Sequence, residues 1–195
     1  KLIAFNFSGA SAPRDIQDLD TEDHIVWRSD TAVEYRGLKV LGSPIGSSAY
    51  MERFGIEAAR SEQRLLDALQ SIDSLQMAWL LLYFCAGPRA NYLLRTTPIQ
   101  SSTAYATEHD RRFMQCFSNL IGSGEIVDYS SPWVRQCQLP MRLGGCGLRN
   151  AQRTAMAAYW ASIADTLHPL SERFPVAAQH MTRQLETGSG VNSLM

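Results

Sequence analysis

Arginine is the residue type with the clearest capacity for binding chemistry in this sequence. Residues 87–160 contain eight arginines and no lysine, against four acidic residues. Because a guanidinium group makes paired hydrogen bonds to phosphate and stacks on bases, this bias is typical of nucleic-acid contacts. Arginines on solvated helix faces that pair with nearby acids give the same composition. The sequence therefore leaves two interpretations open, phosphate binding and ordinary ion pairing.

Other residues that could bind a nucleotide, catalyse hydrolysis or bind a metal lack the neighbouring residues that this chemistry needs. The glycine run at 144–147 precedes a helical pattern but lacks the Lys-Ser/Thr of a P-loop, so it predicts a turn that sets a helix entry. His109 and Asp110 are adjacent, but no nucleophile elbow accompanies them, so we expect His109 on a helix surface and no hydrolase. The four cysteines form no CxxC motif or Cys/His cluster, which predicts buried thiols rather than a disulfide framework or a zinc site.

The elements that position these residues begin with a short apolar run at 37–46. The chain has 195 residues, enough to bury a core, and its net charge of −1 excludes a uniformly basic nucleic-acid binder. In the run, Val40 and Leu41 favour strand, and the Gly-Ser-Pro sequence that follows favours a tight reversal. We predict a β-hairpin that turns at Gly42-Ser43, within a small antiparallel sheet of two to four strands formed by residues 1–46.

The rest of the chain has helical periodicity, so the predicted fold is mainly α, with a small N-terminal β-hairpin or sheet followed by a helical bundle. Apolar residues from Leu65 to Phe84 recur at three- and four-residue spacing, which predicts a buried helix face. The stretch from Trp79 to Phe84 is apolar nearly all round, and we predict that it is the central buried helix. At least four helices should follow residue 47, and five of their residues should be buried: Leu69, Ile72, Trp79, Leu82 and Phe117.

Local capping signals place the helix boundaries. Ser47 or Ser48, Asp73-Ser74 and Asn150 are predicted N-caps, because their side-chain oxygens can accept from early helical N–H groups. The helix that Asn150 caps is expected to end at Thr166. A last helix should begin at Pro169 or Ser171.

Three segments carry a resemblance to a known family. They are GLKVLGSPIGS at 37–47, QMAWLLLYFCAGPRANYLLRTTP at 76–98 and LPMRLGGCGLRNA at 139–151. In this order they resemble the segments that follow the palm in reverse transcriptases of non-LTR retrotransposons. The resemblance implies three regions: the end of the palm and the primer-grip hairpin at 1–46, a helical thumb-like bundle at 47–138, and a post-thumb helical segment at 139–195.

The function that the resemblance implies is that of an RNA-directed DNA polymerase, whose hairpin and thumb hold the template–primer duplex between them. The partners it implies are an RNA–DNA or DNA duplex, together with palm and fingers domains that this chain lacks. Five cations and one hairpin glycine are then the candidate nucleic-acid-binding residues: Lys39, Gly42, Arg89, Arg95, Arg142 and Arg149.

The catalytic residues of such a polymerase are missing from the sequence. Its reaction needs paired aspartates that hold two Mg²⁺ ions, and the chain contains no Asp-Asp pair. The acidic residues clustered at 15–23 lie in a turn-rich segment, which indicates a solvated loop. We therefore expect no catalysis by this chain alone, no cofactor in it, and Mg²⁺ only in the full-length polymerase. Because the chain begins with Lys1 instead of Met, we expect a fragment.

Two further expectations concern location and an alternative function. The apolar run at 78–86 is too short to span a membrane, and no signal peptide is visible, so we expect an intracellular protein, nuclear or cytoplasmic. The alternative function is a helical protein-interaction or scaffold module with no nucleic-acid role, in which the arginines only pair with acids. Palm motifs encoded upstream of Lys1 would distinguish the two.

Overall fold

The computed structural model describes residues 2–21, 25–124 and 127–186. It is mainly helical, with a small two-stranded antiparallel sheet in the N-terminal part followed by a helical bundle, which confirms the predicted fold class. In the described ranges, no helix combines the length and the hydropathy that crossing a membrane requires. The predicted acidic loop at 15–23 is described only as far as residue 21, and it contains one short helix.

The elements follow one another in a simple order. The strands are β1 (Gly37–Val40) and β2 (Ser43–Gly46). The first helices are α1 (Arg14–Gln17), α2 (Ser48–Ser61), α3 (Gln63–Gln70), α4 (Leu75–Leu81) and α5 (Ala90–Thr96). The later helices are α6 (Ile99–Leu120), α7 (Pro132–Gln138), α8 (Ala151–Arg173) and α9 (Pro175–Glu186). A π-helical segment, Leu82–Ala86, joins α4 to a 3₁₀ turn at Gly87–Arg89, and a second 3₁₀ turn covers Met141–Leu143.

The predicted hairpin forms, but it turns one residue earlier than expected. Val40 pairs with Ser43, so the two turn residues are Leu41 and Gly42. Both have positive φ, 49° and 92°, which is what a two-residue turn of type I′ requires. Elsewhere in the described part of residues 1–46, an isolated parallel bridge joins Ala4 to Trp27.

Helix α6 is the buried centre of the bundle, and the prediction that residues 79–84 fill this place is wrong. Helix α6 contacts α2, α3, α4, α5 and α8. Its Tyr105 and Phe113 are each 1% exposed, whereas Phe84 is 65% exposed. A glycine permits one of these close contacts, since a Cβ atom on Gly55 of α2 would lie 2.9 Å from the Cβ atom of Tyr105. The apolar run fails as a central helix because its chain passes into the π-helical segment, which turns Phe84 towards solvent.

Three of the five predicted core residues are fully buried. Leu69, Leu82 and Phe117 are 2%, 0% and 5% exposed, which confirms those predictions. Ile72 and Trp79 are only partly buried and pack against the edge of the same core. Ile72 lies beyond the end of α3, and the Trp79 ring lies 5.7 Å from the ring of Tyr83, so both sit at the border of the core.

The three predicted N-caps are confirmed, whereas one predicted helix end and the predicted start of the last helix are wrong. Ser47, Ser74 and Asn150 each accept a hydrogen bond from the backbone N–H three residues further on. Helix α8, however, continues through Pro169 to Arg173. Proline removes one helical hydrogen bond, and this is tolerated because the surrounding residues 164–166 and 168–169 are exposed, so water can reach the carbonyl left without a donor. The last helix begins at Pro175 and not at Pro169 or Ser171, because α8 continues through both of those positions.

Candidate functional site

Helix α5 connects the hairpin to the C-terminal helices. The Tyr92 hydroxyl donates a hydrogen bond to the Leu41 carbonyl at the hairpin turn. The same ring lies over Gly42, where a Cβ atom would be 3.2 Å from it. Further along α5, a guanidinium nitrogen of Arg95 lies 2.8 Å from a carboxylate oxygen of Asp165 in α8. The hairpin, α5 and α8 therefore form one continuous surface.

The two hairpin candidates lie at the end of this surface nearest the turn. Lys39 is exposed on β1, and its ammonium nitrogen lies 5.6 Å from the centre of the Phe54 ring. Gly42 offers backbone only, in a conformation with φ of 92° that side-chain-bearing residues rarely adopt. Lys39 can thus offer charge to a ligand, whereas Gly42 shapes the turn beside Tyr92.

Arg95 is the candidate whose side chain already has a partner. Its ion pair with Asp165 joins residues 70 positions apart, so no local sequence signal marks it. The two side chains are 49% and 68% exposed. An ion pair so open to water contributes only about 0–1 kcal/mol, because solvent screens the charges. A competing anion can therefore displace the Asp165 carboxylate.

Of the remaining three candidates, Arg149 lines a cleft at the start of α8, Arg142 lies on the loop beside it, and Arg89 lies in the 3₁₀ turn that precedes α5. All three side chains are exposed, and within the described ranges none of them has an ion-pair partner. The cleft has a volume of about 450 Å³, and its lining includes Tyr83, Met141, Gly147, Arg149 and Arg153. Arg142 is the sequence neighbour of Met141.

Arg153 belongs to this cleft, although the sequence analysis did not select it. Arg149 precedes the N-cap of α8 and Arg153 lies in its first turn, and both side chains line the cleft. Residue type was the signal available in the sequence, since Arg153 is one of the eight arginines in 87–160. Its side chain is exposed, and the described residues give it no ion-pair partner.

A glycine-rich loop, residues 139–147, holds the cleft open. The backbone N–H groups of Cys146 and Leu148 both donate to the Cys137 carbonyl at 3.1 Å, which folds the loop back onto α7. Gly145 allows this approach, since a Cβ atom there would lie 2.1 Å from the Leu139 carbonyl oxygen. The loop therefore fixes the position of Arg142, which lies within it, and of Arg149, which follows its last residue by two positions.

A second cavity, of about 230 Å³, lies beside the cleft between α5, α6 and α8, and Arg149 lines both. His109 also lines it, although the side chain is only 5% exposed, so the prediction of a helix-surface histidine is wrong. Its Nδ1 atom lies 2.7 Å from a carboxylate oxygen of Glu62. This partner is 47 residues away in sequence, which is why local pattern did not reveal the burial.

Asp110, the neighbour of His109, fixes α8 against α6. Its carboxylate is 2% exposed and accepts hydrogen bonds from the backbone N–H groups of Ala151 at 2.8 Å and Gln152 at 3.0 Å. Burial raises the pKa of the Asp110 carboxyl above its usual range, and these two donors oppose that shift. The bonds hold the first turn of α8, and with it Arg149, against the central helix.

No protein-family model, curated protein or solved structure matches this chain. Among the described residues, no group of three or more His, Cys, Asp or Glu side chains is placed to hold a metal ion.

Proposed function

We propose that this chain is the nucleic-acid-binding part of an RNA-directed DNA polymerase, a reverse transcriptase of the non-LTR retrotransposon type. In this role the hairpin and the helical bundle hold the template–primer duplex. Palm and fingers domains outside this chain carry the catalytic aspartates and their Mg²⁺ ions, so the chain alone does not polymerise. An intracellular location, nuclear or cytoplasmic, is part of the proposal.

The observation that carries the proposal is a set of exposed arginines without ion-pair partners, which lie in the cleft, on the loop beside it and in the 3₁₀ turn before α5. Arg89, Arg142, Arg149 and Arg153 are exposed, and the described residues offer none of them an acid. A carboxylate partner would neutralise them, whereas an open guanidinium group is available to a phosphate. Tyr83 lies in the same cleft, and an aromatic ring among arginines is typical of surfaces that hold nucleic acid.

The other two proposed cations extend the surface along α5 to the hairpin. Arg95 can exchange the exposed carboxylate of Asp165 for a phosphate at little cost, because the ion pair contributes about 0–1 kcal/mol. Lys39 keeps its ammonium group in solvent beside the Phe54 ring. A duplex that crosses α5 would meet both.

A matched pair of triple variants tests the proposal. One variant replaces Arg89, Arg142 and Arg149 by Gln, and the control replaces three other arginines that are exposed and lack ion pairs in the described ranges: Arg14, Arg60 and Arg64. The net charge changes equally in both, so only location differs. Fluorescence anisotropy of a labelled RNA–DNA hybrid across a salt series gives the affinity and its salt slope.

We expect the wild type to bind the hybrid at roughly 10⁻⁴–10⁻⁶ M, the range of sequence-independent contacts. The first triple variant should flatten the salt slope by the equivalent of up to about three phosphate contacts. Fewer phosphates are then neutralised, so binding releases fewer counterions. The control should keep the wild-type slope. Equal flattening in both variants would contradict the placement of the site.

The alternative, a helical protein-interaction or scaffold module, has its own supporting observation. Arg111 and Arg112 both pair with Glu108, at 2.8 Å and 2.6 Å, and Arg95 pairs with Asp165. Some of the arginines in 87–160 thus do serve as ion-pair partners. Absence of any salt-dependent binding by the folded wild-type chain would favour this function.

A further inference from the structure

We propose that the cavity between α5, α6 and the start of α8 binds a single phosphate group, either free phosphate or the phosphate of a nucleotide chain. Its volume of about 230 Å³ lies below the roughly 300–1,000 Å³ of pockets for drug-sized ligands. It therefore suits one small ion or one group of a larger ligand. The site goes beyond the proposed function, because it requires no duplex.

His109 is the buried polar group that faces this cavity. It lines the cavity while only 5% exposed, and its Nδ1 atom is engaged by Glu62 at 2.7 Å. An ionised carboxylate can only accept, so Nδ1 carries the hydrogen of that bond. The second ring nitrogen, Nε2, has no hydrogen-bond partner among the described residues. Nε2 is therefore the ring nitrogen that is open to a ligand, and it can meet a phosphate oxygen or a P–OH group in the cavity.

The imidazole ring is held in place before any ligand arrives. The Tyr105 hydroxyl donates to the other carboxylate oxygen of Glu62 at 3.1 Å, which fixes the acid. The rings of Tyr105 and Phe113 lie on either side of His109, each at a centroid distance of 5.8 Å. A group that is already oriented loses little freedom when it binds, so the site is preorganised.

Arg149 and Asn91 supply donors at the cavity wall. The Arg149 guanidinium is exposed and has no ion-pair partner in the described ranges, and the Asn91 amide is exposed near the start of α5. The described residues that line the cavity include no Asp or Glu, so no carboxylate there repels an anion. Asp110 lies behind the wall, with its oxygens used by the first turn of α8. The combination of a guanidinium, an amide and a buried imidazole is chemistry that recognises a phosphate group.

The test is an NMR titration of the whole chain with inorganic phosphate at constant ionic strength. The ¹⁵N resonance of His109 Nε2, identified through contacts of its ring with Phe113, should shift saturably. Arg149→Gln should weaken the phosphate affinity about tenfold or more, because a charge-assisted hydrogen bond is lost. Arg64→Gln is the matched control, since Arg64 is exposed on α3, has no ion-pair partner among the described residues and does not line this cavity. It should leave the affinity within about twofold.

Adding an RNA–DNA hybrid to the phosphate-bound protein distinguishes the two sources of the phosphate group. If the hybrid displaces inorganic phosphate, the ligand of the cavity is a phosphate of the nucleic-acid backbone. If inorganic phosphate stays bound beside the hybrid, the ligand is a free ion. Both results support phosphate binding in the cavity. Phosphate binding by a folded chain that binds no hybrid also supports it, while contradicting the proposed duplex function. The proposal is overturned if the His109 resonance does not shift, if chloride at equal ionic strength shifts it as much, or if the two arginine variants behave alike.

Discussion

Phe113 and Phe84 have the same side chain in opposite surroundings. Phe113 lies on the inner face of α6 and is 1% exposed, whereas Phe84 is 65% exposed on the π-helical segment. Phe113→Ala should lower the free energy of unfolding by about 3–5 kcal/mol, because it leaves a cavity in the core. Phe84→Ala should change it by less than about 0.5 kcal/mol. Urea denaturation of both variants measures the difference, and similar losses would contradict α6 as the buried centre.

Glu108 links the stability of the protein to acid pH. Arg111 and Arg112 donate hydrogen bonds to its carboxylate, and these hold its pKa at about 2, with the bond from Arg111 the largest cause. The unfolded chain has a pKa of about 4.3 at this residue. Because the folded value is the lower one, the carboxylate's contribution to stability is fully present above the unfolded pKa. It is lost as pH falls through the folded pKa.

Glu108→Gln removes that titration from the folded and the unfolded state alike. We expect the variant to be less stable than the wild type at neutral pH and to show a smaller decrease of unfolding free energy between about pH 5 and pH 2. Denaturant titrations at a series of pH values give the slope of unfolding free energy against pH for the wild type and for the variant. Identical slopes in the two proteins would show that Glu108 is not the group that titrates.

The hairpin turn is the element where backbone conformation and packing meet. Gly42 has a φ of 92° and lies against Tyr92, whereas Gly122 at the end of α6 has a φ of 78° and open space around it. Alanine at either position destabilises the folded state by about 1–2 kcal/mol, because its Cβ atom disfavours the left-handed backbone conformation. Gly42→Ala should be the more destabilising variant, because its Cβ atom would lie 3.2 Å from the Tyr92 ring.

The comparison of Gly42→Ala with Gly122→Ala therefore isolates the contact between the hairpin and α5. Thermal unfolding of both variants gives the two losses under one set of conditions. Equal losses would indicate that the hairpin turn does not pack on Tyr92. Neither substitution changes a candidate cation. A difference in hybrid binding between the two variants therefore reports the position of the hairpin.

The sequence predicted the N-caps and the hairpin from local signals, although it placed the hairpin turn one residue too late and the start of the last helix at Pro169 or Ser171 instead of Pro175. The caps at Ser47, Ser74 and Asn150 use bonds to backbone three residues away, and the hairpin follows from its own turn residues. The central position of α6 was not predictable in this way, because it buries His109 and Asp110. Their partners lie 47 and 41 residues away in sequence.

The same limit applies to the candidate site. Residue type was enough to select Arg89, Arg142 and Arg149, whose side chains the structure leaves exposed. It did not reveal that Arg95 pairs with Asp165, 70 residues further on. It also did not reveal the cavity at His109, since that depends on how α5, α6 and α8 pack.

At the scale of the whole molecule, two hydrophobic clusters share one helix. The first contains Phe113 of α6 with Val134 and Leu148, and the second contains Tyr105 of α6 with Ala155 of α8. Residues on both sides of the predicted boundary at 138/139 therefore contribute to the same cores. A helix that belongs to both clusters couples their stability, because neither cluster can lose α6 without exposing the other.

We accordingly expect α2 to α8 to unfold in one cooperative transition. Far-UV circular dichroism reports the helices, and tryptophan fluorescence reports all four tryptophans, of which Trp79 and Trp133 pack against the first cluster. The two probes should give the same urea midpoint and the same slope, as two-state unfolding requires. Phe113→Ala should shift both midpoints together, although the substitution lies in only one cluster. Separate midpoints, or a shift confined to fluorescence, would mean that the two clusters unfold independently and that α6 does not couple them.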